Sequence, residues 1–297
     1  MSAALPRPDA RARRVLRRAL AVLQPLWLIA AVGLVAAMAV VAARDVPLED
    51  LRWWLLPAAL AATVVWWIGL ARVWSLVVAG AVRREDLRTW CRTQPLRYLP
   101  GGVWAPASRL ALTRGAPTDR VATVAAENVV ALCAAGAIGG LCLALDGRLA
   151  WAPLVLVAVI PVVAARLTGS ASRLDTGRTT AATLNALVAF AAYAGAAVLA
   201  QAAVSGWQEP EVVAGAAALA WAAGLVAVFA PGGVGVRELA YVGLLAGTLP
   251  RADALAAAVT LRLLTIIAEL AVLPALGRHT GPMHTFGDES SRTGRSV

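Results

Sequence analysis

A few polar side chains interrupt the long apolar runs of this chain, and they are where chemistry is to be sought. Arg72, Glu127, Asn128, Asn185, Gln201, Arg262 and Glu269 each stand inside an apolar run. Arg109, Arg237 and Glu238 stand in two shorter segments broken by proline and glycine. Ionisable groups in such surroundings are costly, and they mark substrate paths, ion pairs or relays. Arg262 and Glu269 are seven residues apart and so share one helix face. They are two turns apart, so groups on other helices must connect them.

The two broken segments read almost alike. One is RYLPGGVWAPASRL, Arg97 to Leu110; the other is VFAPGGVGVREL, Val228 to Leu239. Proline and glycine interrupt a helix and leave backbone groups unpaired. The helix that restarts beyond the break offers free N–H groups and a positive dipole end, which suits an anion such as phosphate. Arg237 falls in the first turn after PGGVG and adds a full charge, with Glu238 beside it to hold it in place. Arg109 serves the first break in the same way. The motif backbones are Pro100, Gly101 and Gly102 in the first copy, and Pro231, Gly232, Gly233 and Gly235 in the second. A plain pair of tight turns is the alternative.

The elements that must position these residues are membrane helices. Of 297 residues, 60% are hydrophobic and only 15% charged; mean hydropathy is +0.72. Soluble domains carry about 25% charged residues. The apolar runs are continuous, which excludes a transmembrane barrel. Seven runs reach spanning length: 25–43, 54–82, 120–145, 149–166, 179–204, 211–230 and 253–276. The expected fold is an all-α polytopic bundle of 7–8 spans, with one or two re-entrant or broken helices at the Pro-Gly-Gly motifs. Residues 1–20 read as a basic cytoplasmic arm, 21–276 as one transmembrane domain and 277–297 as a disordered polar tail.

All 27 basic residues are arginine, and they fix the orientation. They crowd the N-terminal arm, the 83–97 loop and the 166–178 loop, and they thin out near Asp146 and in SGWQEP. The positive-inside rule then puts the N-terminus in the cytoplasm. Parity makes 98–113 enter and return from that side. VRELAYVGLLAGTL, Val236 to Leu249, measures about 21 Å as helix, and an extended PGGVG adds about 16 Å. Together these cover a core of about 30 Å, so 231–249 either crosses or re-enters. Crossing puts the C-terminus in the cytoplasm as well. Spans 1–2, a break and span 3 resemble spans 5–6, a break and span 7, which suggests an internal repeat with span 4 as the joint.

The net charge of +10 is accounted for by arginines flanking the spans, so nucleic acid is not an expected partner. Cys91, Cys133, Cys142, His279 and His284 show no metal-ligand spacing, and neither a metal nor a cofactor is expected. No catalytic motif with a nucleophile stands out.

At these residues the chain resembles a known family. YLPGGVW (Tyr98 to Trp104), followed by Arg109, Gly115 and Glu127, is similar to the first signature of the flippase-like proteins related to the transmembrane region of lysylphosphatidylglycerol synthase. PGGVGVRE (Pro231 to Glu238) is similar to the second, more specific one. The likeness covers about residues 20–276. It implies a helical bundle in a bacterial or archaeal cytoplasmic membrane that moves a polar-headed lipid between leaflets. The bifunctional relatives also carry a separate synthase domain; none follows in this sequence, so the resemblance leaves the cargo open.

The expected function is therefore translocation of a phosphate-containing lipid or lipid-linked intermediate, without enzymatic turnover. Arg109, Glu127, Arg237, Glu238, Arg262 and Glu269 are the candidate head-group residues. The expected partners are membrane lipids, anionic or glycosylated, and an envelope-biosynthesis enzyme. Two rivals remain: a non-transporting membrane partner of an envelope glycolipid or polysaccharide enzyme, and an intramembrane lipid-modifying enzyme using a pair such as Glu127 with Arg237.

Overall fold

The computed structural model describes residues 51–99, 104–112, 117–168 and 175–277, with single positions at 33, 37, 40 and 49. Among the described residues every regular element is a helix. The N-terminal arm, most of the run at 25–43, Pro100, Gly101 and Gly102 of the first motif, and residues 278–297 lie outside them.

Helix α1 (Leu56–Ala79) begins with Pro57 in its first turn, where the missing N–H costs nothing. It ends at Gly80, whose φ of 71° closes the last turn with a bond from its N–H to Leu76 O. Then come the short helix α2 (Arg84–Thr93), a 3-10 turn (Gln94–Tyr98) and the nine-residue helix α3 (Trp104–Leu112). Helix α4 (Pro117–Leu145) is long. The run Leu149–Val159 is 3-10, with Pro153 inside it, and continues into α5 (Ile160–Thr168). Helix α6 (Thr176–Ser205) starts under Asp175, whose Oδ1 accepts the Gly177 N–H at 2.6 Å. Helices α7 (Pro210–Val226), α8 (Val236–Leu244) and α9 (Arg251–Gly277) complete the order.

Five stretches are long and apolar enough to cross a membrane: Trp53–Ala79, Arg120–Leu145, Leu149–Leu167, Thr176–Ser205 and Arg251–Val272. This is a multi-pass helical membrane protein on length and composition. Helix α7, expected to run to 230, stops at Val226, because Ala227 leaves helical geometry just ahead of the Pro-Gly-Gly turn.

The core is built on close helix contact. α1 packs along α6, and a Cβ on Gly69 of α1 would stand only 2.6 Å from Ala189 Cβ. Small residues let two backbones approach this closely, which is how membrane helices gain contact without a hydrophobic driving force. Asn185 adds a bond, its amide donating to Gly69 O at 2.7 Å. Trp66, Phe190, Tyr193 and Trp221 interlock α1, α6 and α7, with Trp66–Tyr193 centroids 4.6 Å apart and Phe190–Trp221 centroids 4.7 Å apart. α4 packs on α7, and α9 packs on α1. The 149–168 stretch lies at the edge, with Leu149, Leu156 and Leu167 exposed.

Two local expectations are corrected. The basic 83–97 segment is not an open loop: α2 turns Trp90 and Cys91 inward and leaves Arg84 and Arg92 outside. The second break does not extend. Gly232, Gly233 and Gly235 take φ values of 59°, 71° and 85°, folding PGGVG into a tight turn. α8 ends at Leu244, after about 14 Å of helix. The length on which a single crossing by 231–249 was based is therefore not reached.

Candidate functional site

The six head-group candidates surround two hollows that share Arg237, reached from five directions: Arg109, Glu127 and Arg237 line the larger, Arg237, Glu238 and Arg262 the smaller, and Glu269 lines neither. α3 supplies Arg109, α4 supplies Glu127, α8 supplies Arg237 and Glu238, and α9 supplies Arg262 and Glu269. The fifth direction, missed in the sequence, is the α2 segment with its 3-10 extension, which brings Trp90, Gln94, Arg97 and Tyr98.

Three ion pairs organise this interior. Arg97 Nη2 lies 2.7 Å from Glu269 Oε2, and the Tyr98 hydroxyl donates to the same oxygen at 3.0 Å. Arg109 Nε lies 3.3 Å from Glu127 Oε2, while Trp90 Nε1 donates to Glu127 Oε1 at 2.6 Å. With its amide oxygen turned toward Arg109, Gln94 accepts from Nη1 at 2.8 Å. Arg262 Nε stands 3.9 Å from Glu238 Oε1, and its terminal nitrogens donate to Gly232 O at 3.2 Å. Arg262 and Glu269 thus connect through α8 and the α2 segment, not to one another.

Glu238 has a different task from the one its position suggests. It does not pair with the neighbouring Arg237. Its Oε2 accepts the Gly235 N–H at 2.7 Å, capping the start of its own helix. That donor, one of those expected to greet an anion, is therefore already satisfied. What remains for an anion is Arg237.

Arg237 is half-buried, and among the described residues it pairs with no carboxylate; its Nε has no hydrogen-bond partner. Its guanidinium lies over the Trp221 ring, 5.4 Å from the centroid. Its stem crosses α7 at Gly224, where a Cβ would stand 2.3 Å from Arg237 Cγ. Gly224 is thus the notch that admits the side chain. Gly232 has a parallel reason to be glycine: besides its φ, a Cβ there would come within 2.9 Å of the Tyr98 ring. The segment before the first break therefore packs directly on the second break.

Between these elements lies a cavity of about 100 Å³. Arg97, Arg109, Glu127 and Arg237 stand in its wall, with Gln94 and Asn128 as neutral polar groups and Trp67, Trp90 and Trp221 as aromatic ones. A smaller hollow of about 20 Å³, room for about one water, lies on the other side of Arg237, against Glu238, Tyr241 and Arg262. Four guanidiniums, those of Arg97, Arg109, Arg237 and Arg262, face three carboxylates, those of Glu127, Glu238 and Glu269. The excess is one positive charge, carried by Arg237.

Other polar residues lie elsewhere. Arg72 is exposed on α1, with its flexible stem free to reach an interface. Asn185 ties α6 to α1, and Gln201 donates to Ser205 Oγ within α6. Glu127, considered with Arg237 as an intramembrane acid–base couple, pairs with Arg109 and shares a cavity wall with Arg237. Among the described residues, no group of three or more His, Cys, Asp and Glu stands close enough to hold a metal ion.

No family model and no curated protein matches the chain. The likeness noted at Tyr98–Trp104 and Pro231–Glu238 therefore rests on those motif residues.

Proposed function

We propose that this protein moves a lipid, or a lipid-linked intermediate, with a phosphate-bearing head group between the leaflets of a bacterial cytoplasmic membrane. One observation carries this reading: Arg237, without a carboxylate partner, shares the wall of an internal cavity with Arg109 and Arg97. A guanidinium offers two parallel donors to phosphate oxygens, and such charge-assisted bonds are about twice as strong as neutral ones. The phosphate would sit against Arg237, with the acyl chains outside in lipid. Arg109 and Arg97, each already holding a glutamate, would shape the pocket around it.

The surroundings of the second break support a position inside the bilayer. Val228 and Phe229 before the Pro-Gly-Gly turn and Leu239 after it are exposed; Phe229 and Leu239 show 77% and 71% of their surface. Large apolar groups exposed next to a polar turn suit hydrocarbon, and irregular backbone at that depth is tolerated where it lines a cavity. On this reading the short helices α3 and α8 belong to re-entrant segments of a seven-span bundle with a cytoplasmic N-terminus, and by parity the C-terminus lies on the opposite face.

A repeat offers the means of alternating access. Spans 2 and 6 correspond to α1 and α7, spans 3 and 7 to α4 and α9. α4 packs on α7 as α9 packs on α1, the exchange that a pseudo-twofold relation requires. In each half a short helix also forms an ion pair with the span that follows it: Arg109 with Glu127, and Glu238 with Arg262. The signs are reversed between halves.

Reconstitution tests the reading. Vesicles holding the purified chain should equilibrate a labelled phospholipid between leaflets faster than empty vesicles, and Arg237→Ala should abolish the gain. Undiminished movement in that variant removes Arg237 from the mechanism. Co-purification of an envelope enzyme, with no lipid movement, supports the scaffold reading instead.

A further inference from the structure

Resting on the transport reading, we propose that the cavity selects a head group whose only charge is negative and rejects one that carries an ammonium group. The inference comes from which charges are already spent. An ammonium head group needs a carboxylate, and each one here already faces a guanidinium, although Glu269 Oε1 and Glu127 Oε2 accept no hydrogen bond. Glu269 holds Arg97 and Tyr98, Glu127 holds Arg109 and Trp90, and Glu238 caps Gly235 and faces Arg262. Taking a carboxylate from any of these arginines would leave a buried guanidinium unpaired, which is strongly destabilising.

Aromatic faces are the other attraction for an ammonium ion, and two of the three tryptophans in the cavity wall, Trp67 and Trp221, carry guanidiniums, as does Trp74 nearby. Arg97 lies 4.7 Å from the Trp67 centroid, Arg109 lies 5.5 Å from that of Trp74, and Arg237 lies 5.4 Å from that of Trp221. An added cation would meet like charge at each of these three rings. Like-charge contacts across a binding surface suppress the wrong partner.

A phosphodiester whose remaining part is neutral meets none of these obstacles. Its single charge balances Arg237. Gln94 and Asn128 offer neutral hydrogen-bonding groups in the same wall, suited to hydroxyls. Phosphatidylglycerol has this chemistry; its lysyl ester, with two added ammonium groups, does not.

The test is binding to the purified full-length chain in detergent. Short-chain phosphatidylglycerol and its lysyl ester compete against a fluorescent phosphatidylglycerol, with parallel leaflet assays in vesicles. The unesterified lipid should bind more tightly by about tenfold or more. Arg237→Lys should keep the preference, and Arg237→Gln, if it elutes as a single species, should erase it. Equal or tighter binding of the lysyl ester overturns the inference. So does binding of neither lipid, or a preference that survives in well-folded Arg237→Gln. The two readings fail separately. A binding preference with no leaflet movement sinks transport alone, and equal movement of both lipids sinks the charge selection alone.

Discussion

The guanidinium of Arg97 reaches Glu269 across 172 residues of sequence, Nη2 to Oε2 at 2.7 Å. This contact ties the segment before the first break to the last long helix, and Tyr98 reinforces it from the adjacent position. Both charges are largely shielded from solvent, so removing one strands the other. Glu269→Ala should cost about 3–5 kcal/mol, read as a large fall in unfolding temperature in detergent. Arg97→Ala/Glu269→Ala should cost less than the two single changes added together. Additive losses would mean that the pair does not couple the two elements.

Glu127 gives a second, finer test. The Trp90 indole donates to its Oε1 at 2.6 Å, a bond to a buried charge. Trp90→Phe keeps the ring but removes the donor, and should cost about 1.5–3 kcal/mol. Trp67→Phe is the control, because the Trp67 indole nitrogen has no hydrogen-bond partner. The loss at position 90 should exceed that at 67 in thermal unfolding of the two variants.

Gly224 permits a test of Arg237 without touching its charge. A methyl group at Gly224 would overlap the arginine stem at Cγ, Nε and Cδ, so the side chain must leave its notch. Gly224→Ala should therefore reproduce the lipid-binding loss of Arg237→Ala, with a stability cost of about 1–3 kcal/mol typical of overpacking. Adding Arg237→Ala to Gly224→Ala should recover part of that stability, since the overlap is gone. A further fall in stability would show that the notch does not hold the arginine.

How much of this was legible in the sequence follows from what kind of signal each residue leaves. Span-length helices announce themselves by continuous hydropathy, and the runs at 54–82, 120–145, 149–166, 179–204 and 253–276 coincide with candidate spans. A charge inside such a run is conspicuous, which is why Glu127, Arg262 and Glu269 stood out. Their partners were not readable, because pairing depends on packing between helices. Arg97 was hidden among basic loop residues. The stripe Leu87, Trp90, Cys91, Gln94 at helical spacing was the available signal that this loop folds inward. Glu238 looked like a partner for Arg237 by adjacency, yet neighbours in a helix point in different directions. It satisfied its own helix end instead.

Immersion of the second break in hydrocarbon can be examined directly. In a background with Cys91, Cys133 and Cys142 replaced, single cysteines at Phe229 and Leu239 should resist a membrane-impermeant maleimide in intact vesicles. They should react with a lipid-soluble one. A cysteine at Arg84, exposed at the start of α2, should show the aqueous pattern. Rapid aqueous labelling at 229 and 239 would put the Pro-Gly-Gly turn in water and leave its cavity no role in moving lipid.

The most direct measurement is the structure of the full chain in a lipid nanodisc containing phosphatidylglycerol, at a resolution that locates phosphate. The account predicts a phosphate within hydrogen-bonding distance of the Arg237 guanidinium, about 3 Å, inside the cavity that also holds Arg109 and Gln94. The Arg97–Glu269 and Arg109–Glu127 pairs should remain intact around it. Lipid phosphates found only along the outer surface, with Arg237 turned to a carboxylate and the cavity closed, would contradict it.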